Sequence, residues 1–177
     1  MATTYQAIAT TTVGSGGASS ISFSSIPNTY TDLQILLSAR TNGTDAPGYA
    51  ILRLNGNSSS VYSRKTLQGD GSTAQSYSGS GETAVNYMYV NGNAGTVNTF
   101  SNTSIYIPNY NSSNNKAFYF DTVQERNATT NAWVMTQANL WANTSAITSI
   151  TLEPQNIDSQ TLFLQYTTAT LYGIKNS

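Results

Sequence analysis

Residues Thr31–Arg40, TDLQILLSAR, alternate with period two, and that alternation recurs along the whole chain. Leu33, Ile35, Leu37 and Ala39 fall on one face of the run. Asp32, Gln34, Ser38 and Arg40 fall on the other, and only Leu36 breaks the pattern. Successive side chains of a strand point to opposite sides, so this is a strand with one buried face. Similar segments follow, each closed by turn chemistry. YAILRL ends at Asn55-Gly56, a dipeptide suited to φ > 0. VYSRKTL stops at Gly69-Asp70-Gly71, VNYMYV at Asn91-Gly92, and TFSNTSIYI at Pro108, which cannot donate in a central ladder. Lys116–Glu125 and Ala132–Trp141 flank a short polar loop and predict a long hairpin. ITSITLEP and a C-terminal pair, TLFLQY and TATLYGIK, complete the series; SYSGSG (76–81) reads as loop.

No segment repeats apolar residues at helical spacing for three turns, and no fixed repeat marks a propeller or β-helix. The expectation is one all-β domain over 1–177, an antiparallel, jelly-roll-like β-sandwich of about nine or ten strands. Residues 1–25 are expected as an N-terminal hairpin, with a flexible arm as the alternative, because TTTVGSGGASS is low in complexity.

The composition narrows function by exclusion. The chain has no His, no Cys, eight acids and seven bases, while Ser, Thr and Asn make up 68 of its 177 residues. A Ser nucleophile has no His to activate it, and zinc has none of its usual nitrogen or sulfur ligands. Asp121 and Glu125 lie four apart on one strand, about 13 Å at ~3.3 Å per residue, too far for a glycosidase pair by themselves. Asp45, Asp70 and Asp158 sit in polar loops with oxygen-ligand character, but no loop carries the alternating acids of a calcium motif. Neither cofactor nor metal is expected. A net charge of −1, with Arg64-Lys65 the one adjacent basic pair, speaks against nucleic acid. No stretch reaches the ~20 apolar residues of a membrane helix, and the first residues lack the basic and apolar regions of a secretory leader. NGNAG (91–95) lacks the Lys of a phosphate loop and reads as a turn.

Two patterns point to binding. In KAFYFDTV, Phe118 and Phe120 face one way and Ala117, Tyr119 and Val123 the other, so both faces of one strand are apolar. Such a strand asks for cover on its second face, from the same chain or from another subunit. Leu36, Phe118 and Phe120 are the interface candidates. Tyr87 with Tyr89, and Trp133 with Trp141, could stack on sugars, although strand aromatics more often belong to a core or interface.

Tyr5–Thr12 (YQAIATTT), Ile26–Leu33 (IPNTYTDL), ITSITLEP at 147–154 and Leu171–Ile174 (LYGI) resemble a group of small virion structural proteins of tailed bacteriophages, including cyanophages. That resemblance implies a β-sandwich in the virion without enzymatic activity. The function expected from it is a capsid cement or decoration protein, made in the host cytoplasm and located on the capsid surface. Its expected partners are copies of itself, a trimer being favoured, and the major capsid protein. The alternative is a tail-associated receptor-binding or carbohydrate-binding module, the one reading in which a glycan is a partner.

Overall fold

The structure, a computed structural model, describes residues 4–44, 47–157 and 159–175. Twelve strands form two packed sheets. They are β1 Tyr5–Thr12, β2 Ile21–Phe23, β3 Asp32–Ala39, β4 Gly48–Leu54, β5 Tyr62–Gly69, β6 Ala74–Glu82, β7 Val85–Val90, β8 Ser101–Ile107, β9 Lys116–Gln124, β10 Trp133–Trp141, β11 Ile150–Pro154 and β12 Thr168–Ile174. One sheet has eight strands in the order β1-β12-β3-β8-β9-β10-β5-β6. The other has four, β2-β11-β4-β7. All pairings between strands are antiparallel.

The connectivity is that of a rolled ribbon. Going up the chain, β2, β3, β4 and β5 pair with β11, β8, β7 and β6 coming back down. Each step along the ribbon changes sheet, which gives the jelly-roll wrap. Two additions widen one layer. The returning limb makes a meander, β8-β9-β10, before β5, and β12 then β1 extend the sheet beyond β3.

Alternation sets the core. Leu33, Ile35, Leu37 and Ala39 are all buried, as the period of their run requires. They meet Ile105 and Ile107 of β8, Phe118 and Phe120 of β9, and Leu52, Leu54, Met88, Val90, Ile150 and Leu152 from the smaller sheet in one continuous cluster. The β9–β10 hairpin forms in full register, from Trp133 opposite Gln124 to Trp141 opposite Lys116. At Asn55-Gly56 both residues have positive φ, 53° and 63°, and Asn57 N–H closes the turn on Leu54 O at 2.9 Å. That turn carries the chain from one sheet to the other.

Four expectations need correction. Among the described residues the strands number twelve, not nine or ten. SYSGSG is not a loop but the middle of β6, an edge strand whose small residues carry no apolar signal and which is held by its register with β5. The N-terminal segment is not a hairpin: β1 pairs with β12 and β2 with β11, so TTTVGSGGASS crosses between sheets. TLFLQY is not a strand. It folds over one end of the sandwich, where Phe163 is fully buried and forms isolated bridges to Ala18 and Thr41, and Tyr166 turns the chain at φ 70°.

The closing LYGIK has a packing reason. A Cβ on Gly173 would lie 2.4 Å from the Tyr30 ring, so that ring covers bare backbone, with Lys175 Nζ 5.9 Å from its centroid. Gly173→Ala should therefore cost about 2 kcal/mol by overpacking. Chemical denaturation should show that loss, and it should shrink in a Tyr30→Ala background, where the clash is absent.

Candidate functional site

The eight-stranded sheet has an inner face toward the core and an outer face on which no second layer lies among the described residues. Along β9 the burial alternates strictly. Lys116, Phe118, Phe120, Thr122 and Gln124 are buried; Ala117, Tyr119, Asp121 and Val123 are exposed. The two-faced apolar pattern is real, but it divides otherwise than expected. Phe118 and Phe120, at 5% and 0% exposure, are core residues and are not available to a partner. Leu36, by contrast, stands on the outer face at 42%.

Further apolar groups cluster on the outer face two to four strands from Leu36, on β9, β10 and β5. Val123 and Val134 are direct cross-strand partners on β9 and β10. Leu67 lies next to them on β5, opposite Thr136. All three are about half exposed or more, and they line a shallow hollow of about 450 Å³. Tyr119 and Tyr106 pair nearby with centroids 5.9 Å apart. Outward positions on the strands from β12 across to β6 carry three charges, Lys65, Asp121 and Asp32, the last buried and accepting from Tyr106; the rest are Ser, Thr, Asn, Gln, Ala, Gly, aliphatic or Tyr. Sequence reasoning missed Leu67, Val123 and Val134 as interface candidates. The signal was there for Val123 but was given to the phenylalanines on the opposite side of the strand.

A second feature lies on the inner side of the same sheet, at its β5–β6 end. There the smaller sheet stops at β7, and the inner face of β5 and β6 runs on past it. The result is a cleft of about 320 Å³ lined by Tyr49, Arg64, Thr66, Gln68, Tyr77, Tyr87, Tyr89 and Met135. Tyr87 sits where a bulge in β7 shifts the register with β4, at φ 65°, a backbone region that aromatic residues rarely adopt. Gln155 Oε1 accepts its N–H at 3.1 Å, Tyr49 meets its ring edge to face, and the Arg64 guanidinium lies 4.6 Å from its centroid. Arg64 Nε donates to Glu82 Oε1 at 2.9 Å and Nη1 to Thr66 at 3.3 Å. Tyr89 stacks on Trp133 and donates to Gln68 at 3.0 Å. Trp133 is partly buried and packs against the core; Trp141 is a core residue that stacks on Tyr62, with Lys116 Nζ 5.8 Å from its centroid.

The acidic candidates do not converge. Asp70 closes the β5–β6 turn, its Oδ1 accepting Ser72 N–H and Oγ–H and Thr73 N–H at 2.7–2.9 Å; those bonds, Thr73 foremost, hold its carboxyl below the usual range. Asp45 and Asp158 lie outside the described residues. Asp121 is flanked in register by Ser104 and Thr136, and Glu125 accepts the N–H groups of Arg126 and Asn127. No group of three acidic residues occurs among the described residues. NGNAG is a turn as expected, and its chain serves Arg40: the carbonyls of Asn93, Gly95, Thr96 and Thr99 accept from that buried guanidinium at 2.8–3.4 Å.

Comparison with family models, curated proteins and solved structures finds no match to this chain.

Two phenols report on these surfaces. Burial, then the neighbouring Tyr49, pushes Tyr89 up to about 12. The bond Tyr106 donates to Asp32 at 2.6 Å, then burial, pushes Tyr106 up to about 12 as well. Both hold their protons more tightly folded than unfolded, where the ordinary value is 10.0. Their contribution is thus fully present below that value and is lost as pH climbs through about 12. An ultraviolet titration should show these two ionising last, and Tyr106→Phe should remove one of them and flatten the alkaline loss of stability.

Proposed function

We propose that this chain is a non-enzymatic structural protein of a tailed-phage virion, a capsid cement or decoration subunit. It self-associates, as a trimer, and spans joints between major capsid subunits. The observation that carries this reading is the outer face of the eight-stranded sheet: broad, nearly uncharged, and centred on Leu67, Val123 and Val134. A contact made by such a face buries apolar area at about 25 cal/mol per Å² without desolvating many charges. Repeated over many copies, modest contacts of this kind resist the outward pressure of packaged DNA. The sequence resemblance to phage virion proteins points the same way.

The test has a molecular and a particle arm. Val134→Lys places a charge in the hollow without touching the core, so the fold and its melting temperature should hold. Self-association measured by light scattering and sedimentation should weaken by roughly tenfold to a hundredfold, the equivalent of about 1.5–3 kcal/mol for one aliphatic side chain. Phe120→Asp should instead unfold the subunit, because it buries an unpaired carboxylate.

In the particle, heads depleted of the protein should assemble, then release DNA under heat or osmotic shock that intact heads survive, with adsorption to cells unchanged. Depleted particles that are equally robust but fail to adsorb would overturn the cement reading in favour of a tail role.

A further inference from the structure

We propose that the cleft between β6 and β7 is a binding site for a neutral sugar residue. This does not rest on the capsid reading, since the cleft and the outer apolar face lie on opposite sides of the same sheet.

A pyranose offers apolar C–H faces and a rim of hydroxyls. Its site needs aromatic rings for the former and fixed amide or hydroxyl groups for the latter. The cleft has both. Tyr77 projects from the edge strand and is about half exposed, and Tyr87 faces it from β7. Between them lie Thr66 and Gln68, held by bonds to Gln137 at 2.9 Å and Gln75 at 3.0 Å. Tyr77 Oη donates to the same Gln75 oxygen at 3.1 Å, so the exposed ring is tied to the amide that orients Gln68. A volume of about 320 Å³ lies at the small end of ligand pockets, which run roughly 300–1,000 Å³, and suits one or two sugar rings.

Charge selects within that class. Arg64 is the one cation lining the cleft, and its ion pair with Glu82, mostly buried, neutralises it. An acidic sugar or a phosphate would meet no uncompensated positive charge. The left-handed backbone at Tyr87 adds an independent mark. Such strain persists only where surroundings over-determine it, and it clusters at binding sites. Here the bulge, Gln155, Tyr49 and Arg64 together fix a ring at the mouth of the cleft.

The experiment is a titration of the full chain with a set of neutral probes, namely the methyl glycosides of glucose, galactose and mannose, N-acetylglucosamine, maltotriose and cellotriose. Sialic acid and glucuronate serve as acidic counterparts. Binding is read by NMR shifts of Tyr ring and Gln amide signals. At least one neutral probe should bind with a Kd of about 1 mM or tighter. Tyr77→Ala should weaken it at least tenfold, Tyr77→Phe should largely retain it, and Tyr119→Ala, on the opposite face, should leave it unchanged. Melting curves should confirm that all three variants stay folded. No binding by any neutral probe, tighter binding of the acidic ones, or binding indifferent to Tyr77→Ala would each overturn the proposal.

Discussion

Eight strands face four, and this mismatch in width governs the rest of the molecule. A four-stranded layer covers only part of an eight-stranded one, so the inner face of the larger sheet changes character along its rows. One row runs Ile35, Ile105, Phe120, Gln137, Thr66, Tyr77 from β3 to β6. The next runs Leu37, Thr103, Thr122, Met135, Gln68, Gln75. The first row turns polar from Gln137 onward and the second is mixed throughout, with Thr103 and Thr122 buried between Leu37 and Met135; only the β6 members, Gln75 and Tyr77, lose their cover.

Inward polar groups are tolerable only when bonded, and here they bond to one another. Thr103 and Thr122 share a bond of 2.7 Å, and Thr122 also donates to Tyr89 O. Gln137 links Thr66, Asn139 and the carbonyl of Asn86. Gln124 donates to Asn91, which donates on to Glu125 O. Two buried cations follow the same economy. Arg40 is held by loop carbonyls, and Lys116 Nζ donates to the carbonyls of Ser112, Asn114 and Ser145 at 2.6–2.7 Å. Burial lowers the pKa of each. Each cation gathers loop backbone that a chain so poor in carboxylates could not fix through ion pairs, which explains how long polar loops stay ordered at the ends of the sandwich.

Period two made much of this fold legible. β3, β4, β5, β7, β8, β9, β10, β11 and β12 were each visible as alternating runs, and Pro108 and Asn55-Gly56 marked true ends. What stayed hidden depends on partners distant in sequence. β6 has nothing but Ser, Gly, Gln, Tyr and Ala before its closing Glu82, and only β5 makes it a strand. β1 looked like half of a local hairpin because its partner, β12, lies at the other end of the chain. TLFLQY has the alternation of a strand, but the backbone bonds it makes to Val13, Ala18, Arg40 and Asn42 come one or two at a time from different segments. For the candidate interface, alternation correctly separated Phe118 and Phe120 from Tyr119 and Val123. It could not say which set faced inward, since both are apolar. The cleft was legible only in part: Tyr87 and Tyr89 stood out as possible sugar platforms and both line it, but Tyr77 lay in a supposed loop, and the bulge that turns Tyr87 has no local sequence signature.

β5 brings the two candidate surfaces together. Leu67 stands on the outer face, while Thr66 and Gln68, its neighbours on either side, line the cleft. Adjacent strand residues point in opposite directions, so one short run supplies a residue to the adhesive patch and two to the cleft without conflict. The geometry also separates their uses. A subunit or capsid surface seated on Leu67, Val123 and Val134 approaches from the side of the sheet away from the smaller layer. The mouth of the cleft opens at the β6–β7 edge, beyond that contact. Polymerisation through the β6 edge would close it, but β6 is rich in Ser and Gly, with Tyr77 turned inward and no row of apolar side chains to reward pairing. Association by the outer face is therefore the arrangement that keeps both surfaces in use at once.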